Sequence, residues 1–273
     1  MDRATTVCMS IAGSDSGGGA GIQADLKAFA RCGVHGTTVI TALTAQNTVA
    51  VTDVLPVPPE MIEAQADALL ADIPPHAIKI GMVGSAEAVR AVVRILDRCP
   101  EGVPVVLDPV MIAESGARLL QSEAERALIE ELMPRATIVT PNVPEARVLA
   151  GDAGGDLADE SLARAVIDAG AQAVVLTGGH RDVAEDLLLT SCSGEPVRME
   201  GPRHPDGAAH GSGCTHSSLL AAALALGYEI EAAAVFARKA AGQAVADGLR
   251  DVGKGAGPVS VLGPLAGISE TRM

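Results

Sequence analysis

Short β-branched runs alternate with longer Ala-, Leu- and Glu-rich amphipathic runs along this 273-residue chain. Parallel strands joined by crossover helices give that texture. Strands covered on both faces lose polar–apolar alternation and read as continuous apolar runs, as Val103-Pro104-Val105-Val106-Leu107 does. Strands are expected at 6–12, 37–42, 77–83, 103–107, 137–140, 173–177 and 186–190, and helices at 22–32, 59–73, 86–99, 162–169 and 229–249. The helix ends carry recognisable signals. Gly33 follows the first, Pro59 opens the second and Pro74-Pro75 stops it, and Ser85 stands as N-cap of the third with Glu87 in its first turn. The last helix, apolar at Ile230, Ala233, Ala237, Ala241 and Val245, is expected along the outside of the core. Loops are short except 151–159 and 200–209, and no repeat or low-complexity linker intervenes. Residues 1–266 therefore read as one α/β domain and 267–273 as a loose tail.

Composition excludes several classes of function. Twenty basic against 34 acidic side chains leave a net charge of −14, which argues against binding nucleic acid through phosphate neutralisation. A 48% hydrophobic, 20% charged chain is globular rather than disordered. The longest apolar stretch, 214–228, contains His216, Ser217, Ser218 and Gly227, so no membrane span is expected. No basic segment followed by an apolar run opens the chain, so no secretory leader is expected. Cys8, Cys32, Cys99, Cys192 and Cys214 lack CxxC spacing and suggest neither a disulfide framework nor a zinc site. A cytoplasmic protein is the expectation.

Four glycine segments need a reason. The first, Gly13-Ser14-Asp15-Ser16-Gly17-Gly18-Gly19-Ala20-Gly21, lies between the first strand and the first helix. The dinucleotide spacing fails there, because counting from Gly17 or Gly19 puts the last required glycine on Ile22 or Ala24. A P-loop fails too, because no Gly-Lys-Ser/Thr follows. So dense a run of glycine suggests close backbone approach to a ligand. The second, His210-Gly211-Ser212-Gly213-Cys214-Thr215, opens an apolar helix whose first amides and dipole make an anion site. A cysteine at that mouth is expected to have a lowered pKa, or else to be a buried inert thiol. The third, Thr177-Gly178-Gly179-His180, ends a strand, where open α/β sheets bind ligands. The fourth is Gly253-Lys254-Gly255-Ala256-Gly257-Pro258.

Polar residues gather at the same strand ends. Asp108 follows Val105-Val106-Leu107, and Thr140-Pro141-Asn142-Val143-Pro144-Glu145 follows Ile138-Val139. Asn142 and Glu145 are spaced to share a hydrated Mg²⁺, although Glu145 is equally a first-turn residue favoured by a helix dipole and Asp108 a turn residue before proline. Gln46-Asn47-Thr48 follows the second strand, and Asp25 lies on the first helix, where it is either functional or simply solvated.

Taken together and in order, these segments resemble the hydroxymethylpyrimidine kinase/phosphomethylpyrimidine kinase family of ribokinase-like kinases. Residues 11–27, 39–48, Lys79-Ile-Gly-Met-Val-Gly84, Leu107-Asp-Pro-Val-Met111, 140–146, Gly178-Gly-His180, 210–215 and 253–259 carry the resemblance across nearly the whole chain. It implies a three-layer α/β/α sandwich with a mostly parallel central sheet. It also implies ATP- and Mg²⁺-dependent phosphorylation of 4-amino-5-hydroxymethyl-2-methylpyrimidine, then of its monophosphate, in thiamine biosynthesis, by a homodimer with no nucleic-acid or membrane partner. Carried onto this sequence, Gly13, Asp25, Thr44, Gln46, Met82 and Val110 would hold the pyrimidine. Gly211, Ser212 and Gly213 would form the anion hole, with Cys214 either taking the hydroxyl proton or positioning the substrate. Asp108, Asn142 and Glu145 would organise Mg²⁺ and phosphates, and Thr177, Gly179 and Lys239 would face the nucleotide. The chemistry agrees. Gln46 offers a donor and an acceptor and Asp25 an acceptor for an aminopyrimidine edge, while Met82 and Val110 give apolar faces.

The chain departs from the family pattern at Glu114 and Thr177, where lysine is common, and at 205–209, which lacks the usual Asn/Thr-rich run. The histidines that often follow the last glycine segment are also missing. The change at Glu114 bears on the second phosphorylation. The rival expectations are a pyridoxal or pyridoxine kinase and a non-catalytic pyrimidine sensor.

Overall fold

A computed structural model describes residues 5–111, 120–152, 154–178, 184–204 and 207–263. Its elements, in chain order, are β1 (Val7–Asp15), α1 (Gly21–Arg31), β2 (His35–Gln46), β3 (Val51–Pro56), α2 (Pro59–Asp72), β4 (Ala77–Ile80), α3 (Ala86–Leu96), β5 (Val105–Leu107) and α4 (Ser122–Ala127). There follow β6 (Ile138–Val139), α5 (Val143–Ala150), α6 (Asp159–Asp168), β7 (Ala173–Leu176), β8 (Ala184–Thr190), β9 (Val197–Gly201), α7 (Ser212–Ala225) and α8 (Ile230–Ala246).

One nine-stranded sheet runs in the order β3-β2-β1-β4-β5-β6-β7-β8-β9. The stretch from β2 to β7 is parallel, and β3, β8 and β9 add antiparallel margins. Two hydrophobic cores flank it. The first joins α2, α3, α4, α5 and α6 to one face through Ile, Val and Leu side chains such as Val89, Val92 and Ile95. Ile95 is fully buried, so Ile95→Ala would cost about 2–5 kcal/mol. The second core seats α1, α7 and α8 on the other face and is rich in alanine. Helix, sheet and helix give the three layers expected.

Several ends form for the anticipated reasons. Ser85 Oγ accepts from the Ala88 amide at 3.2 Å, and Gly33 follows α1 with φ 71°. Two strands escaped the sequence reading. β3 is an edge strand exposed along most of its length, so it lacks the apolar face that marks a buried strand, and β9 runs into the first two residues of the loop expected at 200–209. β1 and β2 also run past their last apolar residues, to Asp15 and Gln46. The parallel ladder continues there through Ser14 opposite Leu43 and Asp15 opposite Thr44. Those polar strand tips deliver side chains to the site.

Candidate active site

A cavity of about 480 Å³ opens over the carboxyl ends of the parallel strands. It lies beside β1, whose neighbours are β2 and β4, so the strand order reverses there. Open α/β sheets leave a crevice for ligands at such a switch point.

Asp15 organises the first glycine segment. Its carboxylate accepts from the amides of Gly17 (2.7 Å), Gly19 (3.0 Å) and Ala20 (2.8 Å), and lies 3.0 Å from His210 Nε2. Burial alone would raise the Asp15 pKa, but the His210 bond and these amides outweigh it and hold the carboxyl below its ordinary value. A Cβ on Gly211, at φ 81°, would run into the Gly19 carbonyl, and one on Gly19 would strike the His210 ring. Part of the glycine density expected to serve a ligand thus lets the first segment press against the second. The fourth segment closes on Thr48, whose Oγ1 accepts from the Lys254 and Gly255 amides at 3.2 Å each.

The anion site forms where α7 begins. Gly211, Ser212, Gly213 and Cys214 all line the cavity. The structure reverses the expected direction for Cys214. Burial, with Asp108 and Asp25 nearby, pushes the thiol up to about 12, against the pull of Lys79 and the Gly21 amide. Desolvation of a thiolate exceeds the help of a helix terminus here, so the resting group is a thiol.

Asp25 also departs from expectation. It is fully buried and its oxygens are already taken, by Lys79 Nζ at 3.0 and 3.2 Å, Ser10 Oγ at 2.5 Å and Ser218 Oγ at 2.7 Å. It stands behind the cavity wall as the counter-ion of Lys79 and does not line the cavity. Lys79 does line it, and its Nζ is also 3.7 Å from Asp108. Burial would lower the Lys79 pKa, but Asp25, Cys214 and Asp108 raise it above the usual lysine value, so the ammonium persists. Sequence reasoning gave Lys79 no role. The signal was there, because a lysine inside the apolar strand Ala77-Ile-Lys-Ile must be paired if that strand is buried.

The remaining expected pyrimidine residues, Gly13, Thr44, Gln46, Met82 and Val110, all line the cavity. Thr44 Oγ1 lies 2.9 Å from the Ser14 carbonyl and 3.1 Å from Gln46 Oε1. Asp108, Asn142 and Glu145 all line the cavity. Asn142 and Glu145 form a reciprocal capping box: Asn142 Oδ1 accepts from the Glu145 amide at 2.9 Å, and Glu145 Oε2 from the Asn142 amide at 3.0 Å. Burial, then the Asp108 charge, pushes Glu145 up to about 8. Asp108 is likewise raised by burial, against Lys79, a bond from Ser217 and His216, with Asp25 adding to the rise.

Thr177 lines the far part of the cavity with Asp186, His216 and Arg238, none of which the sequence reading singled out for a role. On α8, Lys239 is exposed and outside the lining, whereas its neighbour Arg238 is part of it. A 3.6-residue helix turns adjacent side chains about 100° apart, so one points inward and the next away. Gly179, Glu114, Pro205, Asp206 and the tail 267–273 lie outside the described residues. No helix among the described residues is long and apolar enough to cross a membrane.

The family described as phosphomethylpyrimidine kinase matches residues 15–260. A Rhizobium meliloti protein named hydroxymethylpyrimidine/phosphomethylpyrimidine kinase is 47% identical over 93% of this chain and 96% of its own. A phosphomethylpyrimidine kinase structure from Clostridium difficile superposes with TM-score 0.76 at 38% identity, covering 88% of this chain and all of the other. A Staphylococcus aureus pyridoxal kinase, solved with AMP-PCP and pyridoxal, superposes with TM-score 0.83 at 31% identity over 94% of each chain. With the fold, the glycine segments and this match spanning almost its whole length, the chain belongs to the phosphomethylpyrimidine kinase family.

Proposed function

We propose that the protein transfers the γ-phosphoryl group of ATP to 4-amino-5-hydroxymethyl-2-methylpyrimidine and then to the resulting monophosphate. The observation that carries this reading is a single cavity in which the α7 anion site, with Cys214 at its mouth, faces a wall suited to an aminopyrimidine. Gln46 and Thr44 offer hydrogen-bonding edges there, and Met82 and Val110 apolar faces.

In this reading the hydroxymethyl oxygen forms the new bond to phosphorus, the bond to the leaving ADP breaks, and the amides of 211–214 take up charge on the transferred group. The transition state is loose, so positioning and electrostatics supply most of the rate and little base strength is needed early. A resting thiol is no base. Cys214 therefore acts first by placing the hydroxyl, whose proton leaves late, to an oxygen of the transferred phosphoryl group.

The residues present suit a hydrated Mg²⁺. Two buried carboxylates, Asp108 and Glu145, have pKa values raised by burial, and Asp108 lifts Glu145 further; Asn142 adds a neutral oxygen in the same cluster. Such a cluster favours a divalent cation held largely through water and phosphate. When bound, Mg²⁺ would neutralise phosphate charge. A homodimer belongs to the same reading, supported by the exposed apolar side chains Leu43, Val54 and Leu55 on β2 and β3. So do a cytoplasmic location and the absence of nucleic-acid and membrane partners, which the net charge of −14 and the lack of a long apolar helix among the described residues support.

A coupled ADP-release assay with Mg-ATP, run separately on the pyrimidine alcohol, its monophosphate and pyridoxal, tests the reading. Turnover of both pyrimidines is expected. Turnover of the alcohol alone would restrict the activity to the first step and implicate Glu114 and 205–209. The likeness to a pyridoxal-bound kinase makes pyridoxal the second reading, and activity on pyridoxal alone would replace the first.

A further inference from the structure

Sheet order separates the two ends of the cavity. Gly13 and Asp15 lie on β1, and Asp186 lies on β8, five strand positions away. Asp186 nevertheless adjoins the start of α7, because its carboxylate lies 3.8 Å from His216 Nε2, and His216 is two residues beyond Cys214. A donor whose reacting phosphate meets the anion site would extend its remaining phosphates toward this end, where a polyphosphate needs a cation.

Among the described residues, Lys79, Arg203 and Arg238 are the Lys and Arg side chains lining the cavity. Lys79 is committed to Asp25 and Asp108. Arg238 is the one built into the far wall. Its side chain is 13% exposed, and its Nε lies 3.4 Å from Asp186 Oδ2. Asp186 is itself fixed: its other oxygen accepts from the Gly178 amide at 2.9 Å, tying the end of β7 to this corner. His216, 5% exposed, stands with Nε2 3.8 Å from the same Asp186 oxygen, and neither of its ring nitrogens has a hydrogen-bond partner.

The backbone makes room for the guanidinium at two glycines. A Cβ on Gly201 would sit 2.9 Å from Arg238 Nη2, and one on Gly242 would sit 3.3 Å from Nη1. Gly242 is inside α8, where glycine is disfavoured against alanine and needs a local reason. It also lines the cavity. The arrangement is a planar cationic fork, braced by a buried carboxylate and left space by the next helical turn, with an unsatisfied imidazole beside it. Such a fork matches phosphate oxygens, and its Asp186 partner balances its charge while no anion is bound.

We propose that Arg238, oriented by Asp186 and flanked by His216, binds the phosphates of the nucleotide donor. This inference rests on the kinase reading given above. It assigns to Arg238 the contact that the sequence reading gave to Lys239.

Calorimetric titration of ADP, adenosine and the pyrimidine alcohol into the wild-type protein, Arg238→Met and Arg238→Lys tests it. Arg238→Met should weaken ADP about 10- to 100-fold, the worth of a charge-assisted contact, while adenosine and the alcohol change less than about twofold. Arg238→Lys, which keeps the charge and loses the fork, should fall between, at about fivefold for ADP. Unchanged ADP affinity in Arg238→Met would overturn the inference, as would equal losses for adenosine and ADP, since the side chain would then be only structural. If Arg238→Met does not fold, Arg238→Lys decides, and ADP affinity equal to wild type would overturn the proposal. Wild-type protein that bound the alcohol but no ADP would overturn the kinase reading and this inference with it. Binding of ADP to wild type with no selective loss in either variant would overturn the inference alone.

Discussion

Replacing Lys79 with methionine keeps most of the side chain's volume and removes only its charge. Asp25 then loses contacts of 3.0 and 3.2 Å, and Asp108, 3.7 Å from the same nitrogen, loses its nearest cation. The hydroxyls of Ser10 and Ser218 still donate to Asp25, so its hydrogen bonding is only partly lost while its charge is uncompensated. Removing one partner of a buried ion pair costs about 3–5 kcal/mol. For a chain of this size that corresponds to a fall in Tm of roughly 6–20 °C. Asp108 can escape part of this by taking up a proton, which fixes the sign of the pH dependence. Burial already raises its pKa against the pull of Lys79, and without that cation it should rise further, so the folded state holds more protons above about pH 4 and stability falls as pH rises. The deficit of Lys79→Met against wild type should therefore be larger at pH 8 than at pH 5. Urea unfolding followed by far-ultraviolet circular dichroism at both pH values measures it, and adding Asp25→Asn to Lys79→Met should recover part of the loss. A deficit below about 1 kcal/mol at pH 8, or no recovery in the double variant, would refute a buried ion pair as the support of this wall.

With the Cys214 thiol pushed up to about 12, iodoacetamide at pH 7–9 should label exposed Cys192 well before Cys214, whose labelling should climb only above about pH 10; mass spectrometry showing equal labelling at pH 7 would contradict the assigned environment. Cys214→Ala should lower kcat about 10²–10⁴-fold, and a loss under tenfold removes Cys214 from the reaction. The Asp15 pKa is depressed in the folded protein, so its contribution is present above the unfolded value near 3.8 and is lost as pH falls through the folded value. Asp15→Asn should thus cost about 2–3 kcal/mol at pH 7, and its deficit against wild type should shrink progressively as pH falls below 3.8, as thermal melts across that range would show. Gly211→Ala, which combines a left-handed backbone with a collision against Gly19, should cost about 1–3 kcal/mol and lower kcat more than it raises KM; unchanged kinetics would show that the anion site tolerates displacement of its first residue.

Residues 77–80, 105–107, 138–139 and 173–176 were readable as buried strands because their neighbours on both faces demand apolar side chains. β3 was not, since Thr52, Asp53 and Val54 at an exposed edge satisfy no burial pattern. At the site, the helix-opening segment 210–215 was legible because an anion site needs only local backbone. Asp25 and Lys79, 54 residues apart, were not legible as a pair, because nothing local shows that the helix carboxylate and the strand ammonium meet. Asn142 and Glu145 carried two meanings in one spacing, and the capping box now accounts for it without removing either residue from the cavity. Asp186 announced itself weakly, as a carboxylate preceding Leu187-Leu188-Leu189 in a strand where an unpaired charge would be intolerable.

The core in which α7 and α8 pack together is rich in alanine, with Ala221, Ala222, Ala223, Ala233, Ala234 and Ala237 all essentially buried in it. Alanine has no rotamers to freeze, so the two helix backbones approach closely and their relative placement does not depend on how long side chains happen to settle. One end of α7 carries the amides proposed to hold the transferred phosphoryl group, and one turn of α8 carries Arg238. The distance between those two charge-bearing points is therefore set by a methyl-to-methyl spacing, which thermal repacking can hardly alter. A single alanine-to-valine or alanine-to-leucine change in that core would act like a shim, lengthening the gap between donor and acceptor sites without touching either one.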